Sequence, residues 1–136
     1  MRIHGTAVHW LGKGLILRGR SGIGKSDLGI RLIDSGAKFV GDDQIELFTR
    51  GPKLAMRPCA PGLIELRNLG LFVVPHISSA TVDLLIDLDF KEPPERLPYV
   101  RSESLLGISI PVIRFDPRPP SSTARLKILL TAERAA

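Results

Sequence analysis

The sequence predicts an α/β fold, a mixed and strand-rich sheet built around one loop-following helix, with a second helix near the C-terminus. Three observations carry this. An apolar run, Gly14-Leu15-Ile16-Leu17, enters the glycine-rich stretch Gly19-Arg20-Ser21-Gly22-Ile23-Gly24-Lys25-Ser26, and a helical pattern follows at once. Several short apolar runs bounded by Gly and Pro then read as strands, without the βαβαβ alternation of a doubly wound sheet. Finally, Pro117 to Ser122 is a proline-rich bend from which Ser121 or Ser122 can cap a helix running from Thr123 to about Arg134.

Taken in order, Arg2 to Trp10 reads as a strand interrupted at His4-Gly5, joined through Leu11-Gly12-Lys13-Gly14 to the next in a hairpin. The helix after the glycine loop places Leu28 and Leu32 on one face, with Gly29 and Ile33 beside them, and Ser35-Gly36 stops it. Lys38-Phe39-Val40-Gly41 is a short strand ending in Asp42-Asp43. Extended structure continues through Ile45, Leu47 and Phe48, turns at Gly51-Pro52, and resumes at Leu54-Ala55-Met56. A proline loop from Arg57 to Gly62 precedes Leu63 to Val74, which carries Glu65 and Arg67 in an otherwise apolar run. Thr81 to Phe90 alternates strictly and predicts a strand with Asp83, Asp87 and Asp89 on a solvated face. Lys91 to Pro98 is a proline loop, and Ile108 to Ile113 a late strand.

The chain has 136 residues, and residues 1–136 read as a single domain large enough for a core. Its hydrophobic share of 43% is that of a soluble protein, and no run is long enough to cross a bilayer. The N-terminus lacks a signal-peptide core, and the lone Cys59 fits a reducing compartment, so the expected location is cytoplasmic. A formal charge of +5 points to anionic partners. The basic residues are scattered and aromatics are few, so nucleic acid is not an expected partner; neither is a membrane.

The glycine stretch fits the phosphate-loop pattern G-x-x-x-x-G-K-[ST] without mismatch, so Gly19, Arg20, Ser21, Gly22, Ile23, Gly24, Lys25 and Ser26 are the expected nucleotide-binding residues. Glycines let successive N–H groups turn toward phosphate oxygens, and the helix adds a partial positive charge. Lys25 supplies a full charge to the β/γ-phosphates, and Ser26 a hydroxyl to Mg²⁺. Asp42-Asp43 stands at a strand end, where phosphate-loop enzymes place acidic groups: one carboxylate for the metal, the other as general base. The other reading is a turn-forming pair. Glu65 fits a metal ligand or a solvated face equally well. His4 by itself reads as structural, and Arg96 as a surface arginine suited to a transferring phosphoryl group.

Together these residues resemble the catalytic domain of bacterial HPr kinase/phosphorylase. His4-Gly5 is similar to the family's His-Gly before the hairpin, GRSGIGKS to its phosphate loop, and Gly36 through Asp43, GAKFVGDD, to the segment ending in paired aspartates. Ile64 through Val73, IELRNLGLFV, resembles the signature Leu-Glu-Ile-Arg-Gly-Leu-Gly, with Asn68 in place of its first glycine, and Glu95-Arg96-Leu97 resembles the element carrying an active-site arginine. The resemblance implies a phosphate-loop core like that of phosphoenolpyruvate carboxykinase, assembled as hexamers. It also implies ATP- and Mg²⁺-dependent phosphorylation of a serine on HPr, the small phosphocarrier of the sugar phosphotransferase system. The reverse, phosphorolysis, consumes phosphate and releases pyrophosphate.

By that resemblance Lys25 holds the phosphates, and Ser26 with Glu65 and Asp42 holds Mg²⁺. Asp43 takes the serine proton with His4 assisting, the two aspartates being exchangeable in role, and Arg96 stabilises the transferring group. The chain departs from the family in three ways. His4 comes almost at the start, which looks like a short form without the N-terminal domain. The loop before Arg96 is shorter, and the late Pro-Val-Arg-Pro-Gly-Arg-Asn element survives only as Ile110-Pro111-Val112 and Arg118-Pro119. Two other functions compete: a small-molecule kinase of the carboxykinase-like group, and a nucleotide-sensing module without transfer.

Overall fold

The computed structural model describes residues 1–60, 62–88, 101–133 and 135. Strands β1 (Arg2–His4), β2 (Thr6–Trp10) and β3 (Lys13–Arg18) lead through the phosphate loop into helix α1 (Lys25–Asp34). Next come β4 (Lys38–Gly41), β5 (Gln44–Arg50), β6 (Lys53–Pro58), and a hairpin of β7 (Leu63–Leu66) and β8 (Gly70–Val73). The chain continues through β9 (Ala80–Thr81), β10 (Leu84–Asp87), β11 (Arg101–Leu105) and β12 (Ile108–Arg114) to helix α2 (Ser122–Thr131).

Six strands form a mixed sheet in the order β11-β12-β10-β3-β2-β4, with β10 parallel to both β3 and β12 and the other pairs antiparallel. Alternating side chains divide its two faces. Ala7, Ile16, Leu85, Ile110 and Val112 pack with Ile45, Leu47, Leu54 and Met56 of the antiparallel sheet β1-β5-β6-β9. On the other face Val8, Leu15, Leu17, Leu84, Ile86 and Ile113 pack with Leu28 and Leu32 of α1 and Leu126 of α2. The result is three layers: small sheet, large sheet, helices.

The expected strand Arg2 to Trp10 divides at Gly5, where the chain changes sheet. A Cβ there would sit 2.8 Å from the Leu17 carbonyl oxygen and 2.9 Å from Ile16 Cγ2, so the close crossing requires glycine. The helix after the loop stops as expected: Ser35 is the C-cap and Gly36 has φ +103°.

Two expectations need correction. Thr81 to Phe90 is not one half-solvated strand. Ala80–Thr81 pairs with β6 in the small sheet, whereas Leu84–Asp87 is a central strand of the large one, with Leu85 and Ile86 fully buried. Asp83, just before it, is exposed as expected but also accepts the Gly14 N–H at 2.7 Å, whereas Asp87 is only part-exposed and accepts both Nε and Nη2 of Arg18 at 2.7 and 3.1 Å. Asp89, Phe90 and the loop Lys91 to Pro98 lie outside the described residues. The second correction concerns α2. Ser121 occupies its N-cap position, yet no side-chain capping bond forms. Ser121 Oγ accepts from Arg125 and Ser122 Oγ from Arg31, and the helix ends at Thr131. Arg134 lies outside the described residues.

Candidate active site

The site begins where β3 leaves the sheet. Arg18, its last residue, is half-buried and donates to Asp87 on β10 and, at 2.8 and 3.0 Å, to Glu103 on β11. Burial works against the guanidinium charge, but hydrogen bonds to Glu103 and Asp87 outweigh it and push its pKa up. The origin of the loop is thereby fixed to two other strands. The loop then turns through Gly22 and Gly24, whose φ values of +83° and +112° suit glycine, and Gly24 is the N-cap of α1, its carbonyl accepting the Leu28 N–H at 2.9 Å. Lys25 is buried, and its amine donates to the Gly19 carbonyl across the loop.

The paired aspartates lie on the turn between β4 and β5. Asp42 Oδ1 accepts the Thr6 hydroxyl at 2.7 Å and the Asp43 N–H at 3.0 Å, and Asp42 Oδ2 accepts the Ser26 hydroxyl at 3.2 Å. Thr6 is itself buried on β2, so this carboxylate is set by the sheet beneath it. Asp43 has φ +72°, a left-handed conformation that Asp tolerates. That turn directs the second carboxylate elsewhere, with Oδ1 3.2 Å from His4 Nδ1. The Gly5 N–H bonds the Asp43 carbonyl at 3.1 Å and ties the two segments together. Adjacent residues of a regular strand would face opposite sides; here the positive φ gives the two carboxylates separate partners in one neighbourhood.

His4, Ser26, Asp42 and Asp43 therefore come together beside the phosphate loop. Glu65 does not join them: it stands exposed on β7, and no group of three or more His, Cys, Asp or Glu gathers as a metal site among the described residues. Arg96 lies outside the described residues. Sequence reasoning missed Thr6 and Arg18. Both sit one residue from a recognised motif, Thr6 after His4-Gly5 and Arg18 before Gly19, and that adjacency was the available signal.

Residues 1–126 match the family model of the HPr Serine kinase C-terminal domain. The chain belongs to this family. HPr kinase/phosphorylase of Neisseria meningitidis is 31% identical over 123 residues, covering 79% of this chain and 38% of that protein. The Burkholderia lata HPr kinase/phosphorylase is 39% identical over 82 residues, covering 58% of this chain and 26% of its own length. The chain thus spans well under half the length of these curated relatives. Among solved structures, the Hpr(Ser) kinase/phosphatase from Coxiella burnetii superposes with a TM-score of 0.84 at 27% identity, covering 96% of this chain and 88% of that one. The strand-rich α/β fold with its C-terminal helix is the fold of this family. No helix among the described residues is long and apolar enough to cross a membrane.

Proposed function

We propose that this protein is an ATP-dependent serine kinase acting on an HPr-like phosphocarrier protein. The observation that carries the reading is the division of labour between the aspartates, Asp42 on Ser26 and Asp43 on His4, beside a complete phosphate loop. Ser26 and Asp42 offer only hard oxygen donors, which suit Mg²⁺. Those two residues would hold the ion, and Glu65, which does not gather with them among the described residues, would join them as a further ligand by resemblance; bound there, the ion would neutralise phosphate charge.

The chain's own groups do the rest. Backbone N–H groups of the loop and Lys25 bind the phosphates, Lys25 exchanging the Gly19 carbonyl for phosphate oxygen. The acceptor serine hydroxyl attacks the γ-phosphorus as Asp43 takes its proton. The bond to the β–γ bridging oxygen breaks, and ADP leaves. The His4 imidazole beside Asp43 orients the carboxylate and shares the proton, while Arg96 offsets charge on the transferring group. The same residues serve phosphorolysis with inorganic phosphate in the place of ADP: a phosphate oxygen attacks the phosphorus of the phosphoserine, the serine Oγ–P bond breaks as Asp43 returns the proton to Oγ, and the pyrophosphate formed is released. A cytoplasmic location and homo-oligomeric assembly, a hexamer by resemblance, belong to the same proposal.

The test is incubation with labelled ATP, Mg²⁺ and the cognate HPr, beside HPr whose acceptor serine is replaced by alanine. Label on the unaltered HPr alone is expected. Label on a metabolite and never on HPr would replace this reading with a small-molecule kinase. ATP binding without transfer to either would replace it with a sensor module.

A further inference from the structure

Arg18 takes no part in the transfer chemistry, yet its guanidinium is engaged on two sides at once. Nε and Nη2 donate to Asp87 Oδ1 and Oδ2 at 2.7 and 3.1 Å, and Nη1 and Nη2 donate to Glu103 Oε2 and Oε1 at 2.8 and 3.0 Å. Each carboxylate is gripped by two nitrogens, a planar fork that only arginine provides. Asp87 lies on β10, beside β3 and in register with Arg18, but Glu103 lies on β11, with β10 and β12 in between. Three strand spacings are about 14 Å, so the Arg18–Glu103 pair is a strut laid over the sheet rather than a contact between neighbours. Leu17 faces the helices and Ile16 the small sheet, so alternation puts Arg18 and its strut on the small-sheet face.

What the strut holds is a junction. Arg18 is the last residue of β3, and its carbonyl accepts the Leu88 N–H at 2.9 Å. Beyond it Gly19 opens the phosphate loop, and the Gly19 carbonyl receives the Lys25 amine. The peptide before Arg18 supports the other half of the site. A Cβ on Gly5 would sit 2.8 Å from the Leu17 carbonyl oxygen, so Gly5 packs directly on that peptide. Gly5 donates its N–H to the Asp43 carbonyl at 3.1 Å and follows His4, whose Nδ1 is 3.2 Å from the Asp43 carboxylate. Loop and aspartate turn therefore diverge from one peptide, Leu17–Arg18, at a strand end, where local opening costs least.

We propose that Arg18 is a positioning residue for phosphoryl transfer: anchored through Asp87 and Glu103, it fixes the junction that sets the spacing between the phosphate loop and the Asp43–His4 pair. The proposal rests on the reading of Asp43 as the base. Releasing the junction leaves the loop's own N–H groups and Lys25 together, so the phosphates stay bound while their place relative to the base changes. A misplacement of about 1 Å costs on the order of 100-fold in rate, and a partial release on the order of 10-fold.

Single-turnover phosphorylation of HPr, ATP titration and thermal unfolding of the whole protein test it. Arg18→Lys keeps a positive charge between the carboxylates but cannot bond both in plane. It should lower the transfer rate on the order of 10-fold and leave ATP affinity unchanged. In an Asp43→Asn protein the same substitution should change the rate less than about 2-fold, because the step it serves is gone. Glu103→Gln cuts only the far end of the strut and keeps the Asp87 bonds, so it is the variant to read if Arg18→Lys does not fold. It should repeat the pattern with a loss of about 3-fold, within the range of coupling through a side-chain network. A wild-type rate in both variants, with or without a shift in Tm, overturns the proposal. So does a parallel fall of rate and ATP affinity, or an equal loss with and without the Asp43 carboxylate. These outcomes leave the kinase reading standing. Wild type that transfers nothing to HPr overturns that reading, and Arg18 loses its role with it.

Discussion

The phosphate-loop face and the β7–β8 hairpin are each expected to contribute to one metal site, yet they are held in very different ways. On the first, Asp42 is fixed by Thr6 and Ser26, and α1 is anchored through Leu28 and Leu32, both fully buried. On the hairpin only Ile64 is buried, while Leu69, Leu71 and Val73 are 72%, 64% and 72% exposed. Two paired strands alone are marginal in water. The loop face is thus positioned by the core, whereas Glu65 rides on an element that the core scarcely touches. Asp42 and Ser26 are preorganised by the core; Glu65 is not.

That contrast is open to attack first at the chemistry itself. Asp43→Asn keeps the size of the side chain but removes the proposed base, and should lower kcat by roughly 10²–10⁴-fold. ATP affinity should stay close to that of wild type, because Asp43 contacts His4 and not the loop. Single-turnover phosphorylation of HPr together with ATP titration separates the two; parallel loss of both would place Asp43 in nucleotide binding instead.

Anchoring is probed next. Leu28→Ala empties a site fully buried between α1 and the large sheet, and should cost about 2–5 kcal/mol in denaturant unfolding. Leu71→Ala on the hairpin should stay within about 0.5 kcal/mol of wild type, since that side chain is already in solvent. Equal costs at the two positions would break the comparison.

How much of this was legible follows the same division between local and distant determinants. The phosphate loop, the left-handed Gly36 and the Asp42-Asp43 turn are written in contiguous residues, and their physics needs no partner. The bonds of Asp83 and Asp87 were not legible because their partners, Gly14 and Arg18, each lie 69 residues away in sequence. Alternation suggested one wet face, but insertion between β3 and β12 buries Leu85 as fully as Ile86. Strand β11 went unseen because Arg-Ser-Glu-Ser-Leu is polar at four of five positions, as an edge strand can be. The register that brings Thr6 to Asp42 is likewise a tertiary fact.

A smaller effect sharpens the metal side of the contrast. Glu65→Gln should raise the Mg²⁺ concentration for half-maximal transfer on the order of 10-fold, with Tm unchanged because the side chain is exposed. Asp42→Asn should raise the Mg²⁺ requirement and also lower Tm, because it disturbs the bond from buried Thr6. A shift in Tm from Glu65→Gln would mean that the hairpin is more firmly built in than its exposure indicates.

The smallest effect lies in the clamp at the base of the loop. The hydrogen bond from Arg18 holds Glu103 below its ordinary carboxylate value of 4.5, against the opposing effect of burial. A carboxylate with a depressed folded pKa stabilises the fold fully above its unfolded value, and that contribution is lost as pH falls through the folded one. Glu103 is 41% exposed, so solvent screens the pair and its worth falls in the surface range of ~0–1 kcal/mol. Glu103→Gln should therefore lower Tm slightly at pH 7, and the gap should narrow as pH drops below 4.5 toward the depressed value. Asp87 keeps its own bonds to Arg18 throughout, so the loop origin should hold and ATP affinity at pH 7 should be unchanged. A gap that is flat with pH would show that Glu103 acts through packing, and the side-chain charge pairing that fixes Arg18 would then rest on Asp87.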